Sequence, residues 1–210
     1  MSLAGLFLII FLVLHLAINL LIILTDNPMY FNKAAHFMGT NPVIQIMEIV
    51  LFGGFLLHMF YGVIVSLVNW SSRPIGYKKS NFSQTSFFSK YMFHTAVIIT
   101  IFLVLHLFDF WVKVRFIDDV PPDVIYDGKK YHDLASLVIA RFKIGWVVIV
   151  YVVTLFGLGF HLHHGFQSAF QTLGLNHPVY TPVIKTIGLL YTIVITVGFM
   201  AIPIIVYYFK

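Results

Sequence analysis

Long apolar runs separated by short polar segments dominate the pattern along the chain. Each run approaches or exceeds the roughly 20 residues that a bilayer-spanning helix needs, and together they predict spans at 3–24, 43–68, 91–112, 142–164 and 183–207. Breakers such as Asn27-Pro28, Asn41-Pro42 and Pro121-Pro122 lie between the runs. The alternation typical of a barrel strand is absent. The pattern predicts an all-α integral membrane protein in which residues 1–210 form a single membrane domain.

Composition narrows the chemistry that the chain can support. Of its 210 residues, 60% are hydrophobic and 10% are charged, whereas soluble domains average about 25% charged residues. The absence of cysteine excludes disulfides, thiolate metal sites, cysteine-ligated iron–sulfur clusters and thioether-linked haem. A bound metal must therefore be held by histidine, methionine or oxygen ligands.

Basic residues predict the orientation of the chain. The second loop contains Arg73, Lys78, Lys79 and Lys90 and no acid, so the positive-inside rule places it in the cytoplasm. The N-terminus then lies in the cytoplasm as well. The longer third loop, with Pro-Pro and Asp-Gly turns, is predicted to be an ordered external loop.

Four histidines fall within predicted spans, one in each of the first four: His15, His58, His106 and His161. Ionisable residues inside a membrane are rare and usually functional. At a rise of ~1.5 Å per residue, His15 and His106 share the outer half of the membrane, and we call them the outer pair. His58 and His161 share the inner half and form the inner pair.

The sequence around each pair repeats. His15 and His106 each lie in the heptapeptide IFLVLHL, whereas the inner histidines have glycine four residues away on both sides, at positions Gly54, Gly62, Gly157 and Gly165. Residues four apart share a helix face, so the glycines leave clearance for a flat macrocycle. They also allow close helix packing, and the repeated heptapeptide could arise by chance in leucine-rich sequence.

Two cross-bundle pairs favour two bis-histidine haems b, which suit electron transfer. Zinc would need three or four ligands at one site, and a proton relay would need intramembrane acids, of which only Glu48 lies well within a span. Propionate partners are expected to be Arg141, at the outer start of the fourth helix, and Ser2, Lys90, His163 or His164 at the inner boundary. We assign His36, His94, His132 and His177 to loops and boundaries.

The segments GLFLIIFLVLHL, GGFLLHMFYG, FLVLHLFDFW and FHLHHGFQSAFQTLG resemble the single-chain, five-helix, di-haem cytochrome b anchor of succinate dehydrogenases and fumarate reductases. The similarity runs along nearly the whole chain. Its most specific elements are the four histidines in order and the H-x3-G-F-x-S segment from His161.

The resemblance implies axial ligation by His15 with His106 and by His58 with His161, and propionate contacts from Ser2 and Arg141. It also implies flavoprotein and iron–sulfur subunits on the cytoplasmic face of a bacterial inner membrane. The membrane substrate would be a quinone, with menaquinone expected. The chain would thus be the quinone-reactive electron-transfer subunit of an enzyme whose dicarboxylate chemistry lies elsewhere.

The resemblance leaves the quinone site and one proton pathway open. Glu48, His36 and Asn19 are candidates near the outer pair, and a site near Ser86 and Tyr91 is the alternative. Some di-haem fumarate reductases have a glutamate two residues before the fourth ligand, where this chain has Gly159, so that pathway is not carried over.

Two other functions compete with this interpretation. One is the cytochrome b subunit of another quinone-linked enzyme, such as a hydrogenase, formate dehydrogenase or nitrate reductase. The other is a haem-free transporter that uses histidines as proton carriers.

Overall fold

A computed structural model describes residues 1–72 and 91–210. Its helices are α1 (Ser2–Leu24), α2 (Met29–Thr40), α3 (Pro42–Ser71), α4 (Met92–His106), which continues as a π-helix (Leu107–Ile117), α5 (Leu134–Phe142), α6 (Gly145–Thr172) and α7 (Tyr180–Phe209). A two-stranded antiparallel hairpin, β1 (Val124–Tyr126) and β2 (Lys129–Tyr131), precedes α5. Five helices are long and apolar enough to cross a membrane. This confirms the predicted all-α class and indicates a multi-pass membrane protein.

Several helix boundaries differ from the prediction, and two of these differences affect the site. The third span does not end near residue 112, because the helix continues in π form to Ile117. The fourth begins at Gly145, since Ile144 has extended backbone dihedral angles and separates α6 from the short helix α5. The prediction that Arg141 opens the fourth span is therefore wrong, because Arg141 lies in the last turn of α5.

The tightly packed part of the bundle is formed by α1, α6 and α7. Glycine allows two of the contacts: a Cβ on Gly159 would lie 2.8 Å from the Thr196 hydroxyl, and one on Gly198 would lie 2.8 Å from Leu16. Helix α3 packs on α1, and α4 packs on α6. The four histidine-bearing helices thus follow the order α3–α1–α6–α4, with α7 behind the central two.

A cap at one end of the bundle joins α2, the hairpin and α5. The buried side chain of Asn32 donates to Tyr126 and Asp133 and accepts from the backbone N–H of Ala135. Asp127 and Gly128 both have positive φ angles, as a type I′ hairpin turn requires. The third loop is therefore ordered.

Residues 73–90 lie outside the described part of the chain. The basic loop that predicts the cytoplasmic face falls there, as do Lys90 and Ser86. The terms inner and outer accordingly keep the meaning that the predicted orientation gives them.

Candidate functional site

The outer histidines meet across the bundle. The ring centroids of His15 and His106 are 5.8 Å apart, with the rings almost perpendicular at 89°. Phe11 stacks on His15 at 5.3 Å, and Phe199 of α7 lies 5.6 Å from the same imidazole. Since Phe11 lies four residues before His15, helix periodicity places the two rings one above the other.

His106 is enclosed by aromatic side chains. Phe102 and Phe110, four residues before and after it, have ring centroids 5.8 and 5.3 Å away. Tyr151 of α6 lies at 6.2 Å. The Nδ1 atom of His106 is buried and has no hydrogen-bond partner within the described residues. Packing, and not a hydrogen bond, orients this imidazole.

The inner histidines also meet, with centroids of His58 and His161 6.2 Å apart and an interplanar angle of 74°. The flanking glycines face side-chain ends of other helices. A Cβ on Gly54 would lie 3.4 Å from Phe7, and one on Gly157 would lie 4.0 Å from Ile98.

The other two flanking glycines, Gly62 and Gly165, also face the ends of side chains. A Cβ on Gly62 would lie 3.7 Å from Met1, and one on Gly165 would lie 3.6 Å from Met92. Every one of these neighbours is a side-chain atom, so movable groups and not backbone limit the space beside the inner imidazoles.

Both pairs lie on diagonals of the bundle. In the order α3–α1–α6–α4, the outer pair joins α1 to α4 and the inner pair joins α3 to α6. Neither of these helix pairs is among those with extensive backbone contact. The histidine side chains of each pair therefore approach each other across helices whose backbones are not in extensive contact.

The distance between the two pairs along the bundle axis can be estimated independently from α1 and from α4. A Cβ on Gly5 would lie 3.4 Å from His58, and ten residues along α1 from Gly5 to His15 correspond to ~15 Å. The Thr95 hydroxyl lies 3.5 Å from His161, and eleven residues along α4 from Thr95 to His106 correspond to ~16 Å. The two levels differ by about half a bilayer core.

The ring spacings fit a shared metal ion. Two imidazoles that ligate one ion from opposite sides have centroids about 6 Å apart, because each metal–nitrogen bond is about 2 Å and each nitrogen lies about 1 Å from its ring centre. The observed values are 5.8 and 6.2 Å. A single pair at this distance is also an ordinary edge-to-face contact, so the repetition at two levels is the informative feature.

Beside the outer pair lies a polar cluster that the sequence reasoning missed. Asp109 accepts a hydrogen bond from the Tyr151 hydroxyl at 2.9 Å and pairs with Arg141 at 2.7 Å. The Nε of Arg141 is buried without a partner among the described residues. The prediction that Glu48 is the only acid well within a span is therefore wrong, because Asp109 lies within the span Met92–Ile117. The sequence signal for this cluster was the acid Asp109, three residues after His106 in an otherwise apolar run.

The three quinone candidates have different partners. Glu48 accepts from the Trp111 indole at 2.6 Å and pairs with Arg115 at 2.7 Å. His36 makes an edge-to-face contact with Tyr131 of the hairpin, 4.9 Å away. The side-chain amide of Asn19 donates to the His15 carbonyl oxygen. These contacts do not connect the three side chains to one another.

The inner-boundary candidates are more dispersed. Ser2 begins α1, one turn before Gly5, whose backbone approaches His58. His163 and His164 are half-buried on α6 beside His161, and His163 lies 3.5 Å from the Gln167 amide.

Gly159 faces away from the histidines. A Cβ at this position would lie 2.8 Å from the Thr196 hydroxyl oxygen of α7, so any larger residue would force Thr196 to shift. The packing of α6 on α7 therefore explains a glycine here.

Comparison of the chain with protein-family models, with curated proteins and with solved structures found no match. The functional argument therefore rests on the residues and their geometry.

Proposed function

We propose that this chain is the di-haem cytochrome b membrane anchor of a succinate dehydrogenase or fumarate reductase complex. In this role it carries electrons between an iron–sulfur subunit on the cytoplasmic face and quinone in the membrane. The observation that carries the proposal is the pair of diagonal His–His contacts, with centroid spacings of 5.8 and 6.2 Å at two levels of one bundle.

The residues at both levels fit haem b. The histidine pair at each level would supply two imidazole nitrogens to such a group, and no carboxylate hydrogen-bonds to any of the four imidazoles in the described part of the chain. Haem b, when bound between two such histidines, supplies one-electron transfer at an iron with no open position for oxygen. His15 with His106 would hold the outer group, and His58 with His161 the inner one.

Polar groups at the boundaries would hold the propionates. The unpartnered Nε of Arg141 is a charged donor directed into a buried site, and Asp109 fixes the guanidinium through a different nitrogen. A carboxylate bound there would satisfy a buried donor that is otherwise costly to leave unpaired. Ser2 is the corresponding candidate at the inner end of α1.

The surrounding side chains exclude water from the outer imidazoles. Phe102, Phe110 and Phe199 present apolar rings around His15 and His106. We propose quinone exchange near this level, with Glu48 as the leading contact.

A reduced-minus-oxidised absorption spectrum of the purified chain tests the proposal. We expect a b-type α-band and two haems per chain, both lost on extraction of the pigment. A colourless protein purified from haem-replete cells would overturn the proposal and favour the haem-free transporter.

Co-purification distinguishes the haem-bearing alternatives. A flavoprotein and an iron–sulfur subunit should accompany the chain from its native membrane, and the complex should couple succinate or fumarate to quinone. Coupling to hydrogen, formate or nitrate instead would assign the chain to another quinone-linked enzyme.

A further inference from the structure

The inner pair contains a polar contact that the outer pair lacks. The Thr95 hydroxyl of α4 lies 3.5 Å from Nδ1 of His161 on α6. The same hydroxyl donates a hydrogen bond to the Met92 carbonyl oxygen, 2.9 Å away and one helical turn earlier. With its proton directed at Met92, the Thr95 oxygen offers a lone pair to His161.

This arrangement selects one tautomer of His161. A neutral imidazole carries its proton on one nitrogen only. If Nδ1 carries it, the Thr95 oxygen can accept it, and Nε2 keeps the lone pair that a metal needs. Metal-ligating histidines usually donate their second ring nitrogen in this way, which fixes the ring and makes it a stronger donor.

The outer pair provides an internal reference. His106 lies on the same helix as Thr95, and its Nδ1 is buried without a hydrogen-bond partner in the described residues. An acceptor therefore supports the inner ligand His161, whereas aromatic rings alone surround His106.

We propose that Thr95 is a positioning residue that holds His161 in its ligating tautomer and thereby lowers the reduction potential of the inner haem. The proposal rests on the proposed function. A more basic imidazole favours ferric over ferrous iron, so the hydrogen bond shifts the inner potential downward.

Redox titration of purified variants, followed in the α-band, tests the proposal. Thr95→Val removes the hydroxyl and keeps the shape. We expect one of the two potentials to rise, by up to about tenfold in the ferric-to-ferrous preference, or about 59 mV for a one-electron couple. Thr95→Ser keeps the hydroxyl and should retain the wild-type value.

Thr100→Val is the matched control on the same helix. The Thr100 hydroxyl donates to the Ala96 carbonyl oxygen and contacts Met59, and it is exposed. This variant should leave both potentials unchanged. If Thr95→Val leaves both potentials unchanged, shifts both equally, or shifts them no more than Thr100→Val does, the proposal is wrong.

Two further outcomes are also decisive. If Thr95→Val no longer binds the inner haem, Thr95→Ala and Thr95→Ser are compared instead, and equal inner potentials in these two variants would overturn the proposal. Wild-type protein without haem would refute the proposed function itself, whereas two haems with no effect of Thr95→Val would refute the role of Thr95 alone.

Discussion

His106 in the outer pair has phenylalanine four residues away on either side, whereas His161 in the inner pair has glycine at both equivalent positions. The ring spacings are nevertheless similar, at 5.8 and 6.2 Å. Aromatic packing therefore orients the outer imidazoles. Open helix faces and one hydroxyl group surround the inner ones. The two levels present the same donor set in different environments, and a membrane electron carrier can use such a difference to separate two potentials.

Replacement of one histidine should have the largest effect, because it should remove one of the two levels and leave the other. His106→Ala removes a proposed outer ligand and His58→Ala a proposed inner one, so under the proposed function each variant should lose one haem and retain the other. Haem content per chain and redox titration would show which potential disappears. Loss of the same potential in both variants would contradict the pairing across the diagonals.

Added bulk should affect the inner level only. We expect Gly54→Leu to weaken or abolish inner haem binding, because a side chain there enters the contact between α3 and Phe7 of α1. Gly53→Leu is the matched control, since a Cβ on Gly53 meets nothing within 4 Å. Haem stoichiometry after purification measures both. Equal haem loss in the two variants would show that the Gly54 face has no special role.

Removal of one charge should affect the outer level. Asp109→Asn leaves Arg141 without its counter-charge, and an unpaired buried charged group costs about 1–3 kcal/mol or more. We expect a lower thermal midpoint and a change confined to the outer potential. Adding Arg141→Gln should restore part of the stability, because no charge then remains unpaired. A double variant less stable than the sum of the single variants would contradict this coupling.

Acidification should have the smallest effect, confined to the hairpin formed by β1 and β2. A hydrogen bond from Lys130 holds the pKa of Asp123 below its usual range, and Lys33 does the same for Asp127. Because both pKa values are depressed, the ionised forms support the hairpin at neutral pH, and this support is lost as the pH falls through them. Amide protection factors at residues 124–131, each corrected for the intrinsic exchange rate at that pH, should therefore fall in acid, while those in α6 should not.

Helix arithmetic predicted that the histidines would meet, and it did so for a definite reason. An α-helix advances by a fixed rise, so the positions of His15 and His106 along their spans determined their common level before the structure was known. Their proximity is present in the structure, and their ligation of haem stays a prediction. The five apolar helices were predicted equally well, because apolar length alone decides what can span a bilayer.

The sequence could not predict the side-chain chemistry around the pairs. Asp109 was overlooked because the third span was expected to end near it, and the π-helix that extends the span has no clear sequence signal. Arg141 was assigned to the wrong helix, because the break at Ile144 occurs within an apolar run. Thr95 could not be found either, since its importance depends on the rotation of α4 against α6.

The π-helix connects two ion pairs, Asp109 with Arg141 and Glu48 with Arg115. Asp109 and Arg115 both lie on this segment, which therefore contributes one charge of each sign. The four groups sum to zero, so the outer boundary carries several ionised residues without a net local charge. Replacement of either acid by a neutral residue would therefore leave one arginine without its ion-pair partner and would give this end of the bundle a net positive charge.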